Sequence, residues 1–135
     1  MSETLSLIVS SGTEDKLESA ATVIAGAAVV GKSVNVLLQF WGLDAFRAGH
    51  IDEPRGLAAD AGAAGRSLAA AGRDRLPWAE TLRQAKELGD VRIQACSGSL
   101  ETLGIQPSEL DPLVDGPCGI AAFLMAAEDG QILFI

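Results

Sequence analysis

The stretch Val91–Ile105, VRIQACSGSLETLGI, decides how the rest of the chain is read. Its first half is strand-like, because Val91 and Ile93 alternate with Arg92 and Gln94 and Ala95 closes the run. Its second half is helix-like: Ser97 and Ser99 are cap residues, and Leu100, Leu103 and Ile105 follow at helical spacing. Cys96 is the joint. A side chain there stands at the carboxyl end of a strand and just before the amino end of a helix. Free backbone N–H groups and the helix dipole favour an anion at such a point. A thiol so placed is drawn toward thiolate, the form of cysteine that acts as a nucleophile. The opposing reading is a small buried hydrophobe, the usual fate of a free cysteine. Position alone does not choose between them.

Outward from that joint, strand and helix alternate along the chain. Leu5–Ser10 reads as a buried first strand that ends in the cap-rich turn Ser10-Ser11-Gly12-Thr13. A helix is predicted from there to about Val30, stopped by Gly31. Leu17, Ala20, Ala21, Ile24 and Ala28 give it one apolar stripe, and Val23, Ala27 and Val30 make much of the opposite face apolar. A helix apolar nearly all round is covered on more than one side, which predicts a subunit interface there. Ser33–Phe40 is the second strand, a near-continuous apolar run of the kind found in parallel sheets. It ends in the aromatic corner Phe40-Trp41-Gly42-Leu43, with a short helix predicted over Leu43–Ala48. Pro77 opens a helix carrying Trp78, Leu82, Ala85 and Leu88, and Gly89 ends it.

After the Cys96 segment come a short helical turn at Pro107–Leu110 and a short fourth strand at Leu113–Asp115. Gly116-Pro117-Cys118-Gly119 then leads into a helix at Ile120–Glu128, and Gln131–Ile135 is the closing strand. Gly49–Arg75 interrupts the alternation. It is dominated by Ala and Gly, supports only a weak helix near Leu57–Ala71 and carries little apolar bulk, which predicts a long mobile excursion.

The predicted architecture is three-layer α/β, with a five-stranded, mainly parallel sheet and helices on both faces. Sites in such sheets form beyond the carboxyl ends of the strands. Ser11 and Gly12, Trp41 and Gly42, Cys96 with Ser97 and Ser99, and Pro117 with Cys118 would all line that edge. Cys118 has the same kind of address as Cys96, at the start of the last helix, and is the candidate second thiol. His50 is the only histidine and reads as a solvated loop residue. No cysteine has a partner at zinc-like spacing, and no phosphate-binding loop occurs. The reading therefore needs no metal and no cofactor.

Composition bounds the rest. The 135 residues suit one domain, 1–135, with the Ala/Gly-rich insertion at about 49–75. They are 48% hydrophobic, enough for a core built from aliphatic side chains. The formal charge of −8 comes with no basic cluster, which argues against nucleic acid or an anionic membrane surface as partner. The amino terminus has no targeting pattern and no apolar run spans a membrane, so a cytoplasmic location is expected. In a reducing compartment, two cysteines read as reactive thiols rather than a structural staple.

Four stretches together resemble the DsrE/DsrF-like family of small sulfur-relay proteins. They are Phe40-Trp41-Gly42-Leu43; the Ala-Cys, Ser-x-Ser and Leu-Gly-Ile of Val91–Ile105; Glu109–Gly116; and Gly119–Leu124 with the terminal Leu133-Phe134-Ile135. The resemblance runs the length of the chain except for Gly49–Arg75. It implies a five-stranded parallel sheet of flavodoxin-like order and assembly into oligomers, a homotrimer first and a hexamer second. It also implies a cysteine, at the position of Cys96, that carries sulfur as a persulfide between donor and acceptor thiols. Pro117-Cys118 departs from the family's small residues, and the insertion has no counterpart.

Three functions follow as expectations. In the first, Cys96 accepts sulfane sulfur and passes it to a partner thiol. In the second, Cys96 and Cys118 form a reversible disulfide as a redox switch, which requires α-carbons within roughly 7 Å. In the third, the chain is a non-enzymatic oligomeric binding module with Cys96 incidental. Cys118 is expected to face the same cavity as Cys96, held back from it by the rigid Pro117, so that only a persulfide would have the reach to meet it.

Overall fold

Strands β1 (Thr4–Val9), β2 (Ser33–Leu38), β3 (Val91–Cys96), β4 (Gly116–Cys118) and β5 (Gln131–Phe134) form one sheet in the order β4-β3-β2-β1-β5. Every pairing is parallel. The computed structural model describes residues 3–63 and 76–135. The helices are α1 (Glu14–Val29), α2 (Phe40–Asp44), α3 (Trp78–Leu88), α4 (Ser97–Leu103) and α5 (Ile120–Ala126).

The strand order explains how the layers are filled. The chain steps from β1 to β4 in one direction, so right-handed crossovers put α1, α3 and α4 on one face. The return from β4 to β5 reverses direction and puts α5 on the other. The sheet class is the predicted one, but the order within it refines the flavodoxin-like expectation. The reversal falls between β1 and β5, so the Cys96 edge lies inside an unbroken run of neighbouring strands.

The first face carries the main core. Leu7, Val9, Val36, Leu38, Ile93 and Ala95 point into it and meet Leu17, Ile24, Trp78 and Leu82 from the helices. Burying each of the Leu, Val and Ile side chains contributes about 1.5–3 kcal/mol. The second face is thinner. Ile8, Leu37, Cys96 and Phe123 form a small separate cluster there, with Cys118 packed against it.

α1 forms where the sequence places it. Glu14 and Asp15 sit in its first turn, where acidic side chains suit the positive helix end. Gly31, at φ 85°, closes it, with its N–H to the Ala28 carbonyl and the Lys32 N–H to that of Ala27. The second apolar face of α1 is covered in part within the chain. Ala27 is buried and Val23 packs on the core, because α3 of the same chain lies along α1, leaving Val29 and Val30 exposed. The larger exposed apolar surface lies on α5 and β5 instead: Met125 is 75% exposed and Phe134 69%, with Ile120, Leu124, Ile132 and Leu133 around them.

Two other predicted boundaries move. The aromatic corner is itself helical, so α2 begins at Phe40 rather than Leu43 and ends at Asp44. The fourth strand is Gly116–Cys118, not Leu113–Asp115. The side chain of Asp111 accepts the Leu113 N–H and its carbonyl accepts that of Val114, which makes residues 111–114 a turn that buries Leu113. Asp115 then grips Ile93 twice, its N–H to the Ile93 carbonyl and its carboxylate to the Ile93 N–H, and β4 starts one residue later. Pro117 is tolerated because β4 is an edge strand.

The insertion is tied down over its described part. Ile51 is buried in the main core. Arg55 donates to the Gly12 carbonyl at 2.6 Å and pairs with Asp44 at 3.7 Å. The Ala58 N–H bonds the Asp15 carboxylate at 2.9 Å, and the Glu14 N–H bonds the Gly56 carbonyl. Of the predicted weak helix, the described residues contain a 3-10 turn at Ala59–Ala61 and two α-helical residues, 62 and 63, after it. Residues 64–75, with the rest of that predicted helix, lie outside the described residues.

Candidate functional site

Parallel strands in register point paired side chains to the same face. Leu38 pairs with Ala95, and Cys96 with Cys118. The next residue after Leu38 is Gln39, so Gln39, Cys96 and Cys118 form a row across three adjacent strands at their carboxyl ends. All three lie on the thin second face. The Gln39 side-chain N–H group reaches the Cys96 sulfur at 3.9 Å.

Cys96 is the last residue of β3 and also the N-cap of α4, so the cap is not a serine as the sequence suggests. Ser97 becomes the first helical residue and is exposed. Ser99 turns inward and is 1% exposed. Burial pushes the Cys96 thiol up, but the N–H and hydroxyl of Ser99, the N–H of Gly98 and the amide of Gln39 outweigh it. The thiol is held below its ordinary value. Apart from the Cys96 sulfur, a weak acceptor, the buried Ser99 hydroxyl has no hydrogen-bond partner among the described residues. What it faces is the sulfur, and a charged or larger sulfur species is the acceptor that would satisfy it.

The corner before α2 is strained where it delivers Gln39. Phe40 has φ 45°, a left-handed conformation that costs a non-glycine residue roughly 1–2 kcal/mol. The Gln39 N–H to the Val9 carbonyl and the Gly42 N–H to the Ser10 carbonyl hold it there. Gly42 is required by the close approach: a Cβ on it would lie 2.3 Å from the Val9 oxygen.

The remaining predicted edge residues divide. Gly12 packs against the Trp41 backbone, where a Cβ would meet the carbonyl oxygen at 2.4 Å, and its own carbonyl takes the Arg55 hydrogen bond. The Ser11 hydroxyl bonds Thr13. These residues shape the β1 end of the edge, and their bonds go to the insertion and to α1, not to Cys96. Trp41 is 63% exposed on the rim. Pro117 is exposed beside Cys118. Cys118 is half-buried, and its thiol donates to the Gly119 carbonyl at 3.4 Å. His50 lies half-buried in the turn after Arg47. Among the described residues, no group of three or more His, Cys, Asp or Glu side chains is arranged to hold a metal ion.

Sequence reasoning missed Gln39. The available signal was a polar residue closing the apolar strand β2 at the same edge as Cys96. The rigid-Pro117 argument also understated Cys118. Register alone makes the two cysteines neighbours, with adjacent strands about 4.8 Å apart.

No family model matches the chain. The chain is similar to the uncharacterized protein YrkE of Bacillus subtilis (strain 168), with 29% identity over 154 residues, covering 96% of this chain and 94% of that one. Its fold is similar to the solved structure of MTH1491 from Methanobacterium thermoautotrophicum, a protein of unknown function. That match has a TM-score of 0.66 at 13% identity and covers 98% of this chain and 99% of the other. At that identity the likeness extends to the fold alone. Among the described residues, no helix is long and apolar enough to cross a membrane.

Proposed function

We propose that this chain is a sulfur-relay protein of the DsrE/DsrF-like kind, with Cys96 as the sulfur carrier. The observation that carries the reading is the donor set converging on one sulfur: the Ser99 and Gly98 N–H groups, the Ser99 hydroxyl and the Gln39 amide. Such a set stabilises an anionic sulfur without a metal or a bound cofactor.

The chemistry is thiol exchange. Cys96 thiolate attacks the outer sulfur of a donor persulfide, R–S–SH. A new bond forms from Cys96 Sγ to that sulfur, the donor S–S bond breaks and R–S⁻ leaves. The persulfide extends the anion by one atom, and Ser99 and Gln39 are placed to donate to it. An acceptor thiolate then attacks the outer sulfur, and Cys96 leaves as the thiolate the same donors stabilise. Ile8, Leu37 and Phe123 keep one side of the sulfur dry, while exposed Ser97 and Gly98 leave the other side open to a partner.

The working form in this reading is a homo-oligomer, a trimer before a hexamer, assembled through the apolar surface of α5 and β5. A reducing cytoplasm suits the reading, since it keeps both cysteines available as thiols.

The test is to incubate reduced protein with glutathione persulfide, remove the small molecules and treat the protein with cyanide, which takes sulfane sulfur as thiocyanate. Thiocyanate should appear from the Cys118→Ala protein, which keeps Cys96 as its only thiol, and be absent from Cys96→Ser. Equal yields from Cys118→Ala and Cys96→Ser would remove Cys96 as the carrier.

A further inference from the structure

We infer that Cys118 is a resolving thiol, which discharges the sulfur held on Cys96 as hydrosulfide and leaves a Cys96–Cys118 disulfide. The inference rests on the persulfide reading of Cys96 and adds a second outcome to it, release in place of relay.

The geometry comes from the sheet. Cys96 and Cys118 are Cα partners at the last pair of the β3–β4 ladder. Their side chains share a face, and Cys118 packs against the cluster that contains Cys96. The strand spacing of about 4.8 Å falls inside the disulfide range of roughly 4.4–6.8 Å between α-carbons. β4 is a three-residue edge strand with no neighbour beyond it among the described residues. Gly119, which follows Cys118, is exposed. The backbone at Cys118 can therefore yield by the small amount that bond formation needs.

The direction of attack is also set. β2 and β4 flank β3 on opposite sides. Gln39 approaches the Cys96 sulfur from the β2 side, and Cys118 stands on the β4 side. A persulfide whose outer sulfur accepts from Gln39 turns the back of its inner sulfur toward Cys118. That is the alignment displacement at sulfur requires, with nucleophile and leaving group on opposite sides.

The step balances. The Cys118 thiol gives up its hydrogen bond to the Gly119 carbonyl and loses its proton to water at its half-exposed flank. Its sulfur attacks Cys96 Sγ, forming the Cys96–Cys118 bond. The bond from Cys96 Sγ to the outer sulfur breaks, and HS⁻ leaves. The persulfide sulfur is reduced and the two cysteines are oxidised. Two external thiols, or one dithiol protein, then reduce the disulfide and become a disulfide themselves. A disulfide at this half-exposed sheet edge is of the easily reduced kind.

The experiment loads reduced protein with glutathione persulfide, removes small molecules at once, and follows hydrosulfide and intact mass without added thiol. Wild type should release stoichiometric hydrosulfide and reach the mass of the reduced chain less two hydrogens. Cys118→Ala and Cys118→Ser should both stay at the mass of one added sulfur and release none. A wild-type persulfide that lasts as long as the one in Cys118→Ala overturns the inference and leaves the relay reading intact. Release from wild type with no loading of folded Cys118→Ser also overturns it, because Cys118 would then be the first acceptor. Absence of any adduct or release in all three proteins sinks the relay reading itself.

Discussion

Gln39 Nε2 lies 3.9 Å from Cys96 Sγ, reaching from the end of β2 across to the end of β3. It is one of the donors that hold the thiol below its ordinary value. Gln39→Leu should raise the pH midpoint of Cys96 alkylation by iodoacetamide. At this separation the contact is worth roughly 0.5–1 kcal/mol, so reactivity at neutral pH should fall about two- to fivefold. An unchanged profile would remove Gln39 from the site.

Ser99 separates reactivity from stability. Its hydroxyl is buried with no partner but the Cys96 sulfur, a weak acceptor, so Ser99→Ala costs folding little. The same change removes a donor to Cys96. The variant should unfold at nearly the same urea concentration while its Cys96 alkylation midpoint moves up. A destabilised variant with an unchanged midpoint would show the hydroxyl to be structural.

The lowered Cys96 pKa has a sign in stability as well. The folded value lies below the ordinary 9.0, so the folded state binds the proton less tightly than the unfolded chain. The resulting stabilisation is fully present above pH 9.0 and is lost as pH falls through the folded value. Reduced wild type should therefore gain stability relative to Cys96→Ser as pH rises from neutrality toward about 9. Denaturant titrations under reductant at several pH values check this, and a gap that narrows with rising pH would contradict it.

How legible this was depended on what local sequence encodes. The alternation of Val91 to Ala95 and the following helical spacing located β3, α4 and Cys96 with little error, because period and cap chemistry are local. Gln39 was passed over because its role depends on which strand lies beside β3, and strand order is not written in any one segment. Cys118 was expected on the same edge as Cys96, but its direct register with Cys96 was not, because β4 was placed at Leu113–Asp115 instead of Gly116–Cys118. There, Asp111 and Asp115 act through side-chain bonds to backbone, which overrode the apolar look of Leu113 and Val114. The second apolar face of α1 was read as covered by another subunit; α3 of the same chain covers part of it, at Ala27 and Val23, and Val30 is exposed.

The surface left open instead is that of α5 and β5, where Leu124, Met125, Ile132, Leu133 and Phe134 are exposed. β5 is an edge strand, and exposed apolar residues on an edge invite association. Wild type should run as a homo-oligomer in light scattering at micromolar concentration, with a trimer as the expected mass. Phe134→Glu, which buries no charge in the monomer, should shift it to monomer with unchanged far-UV circular dichroism. A wild-type monomer would contradict this assembly.

The central claim is that Cys96 takes up sulfur, and peptide mass mapping after loading tests it most directly. Reduced Cys118→Ala, treated with glutathione persulfide at neutral pH and capped with iodoacetamide, is digested and its Cys96 peptide weighed. The expected product is a capped persulfide, one sulfur heavier than the capped thiol, formed in preference to any adduct on denatured protein. Cys96 recovered only as capped thiol, with the protein folded and the donor intact, would contradict it.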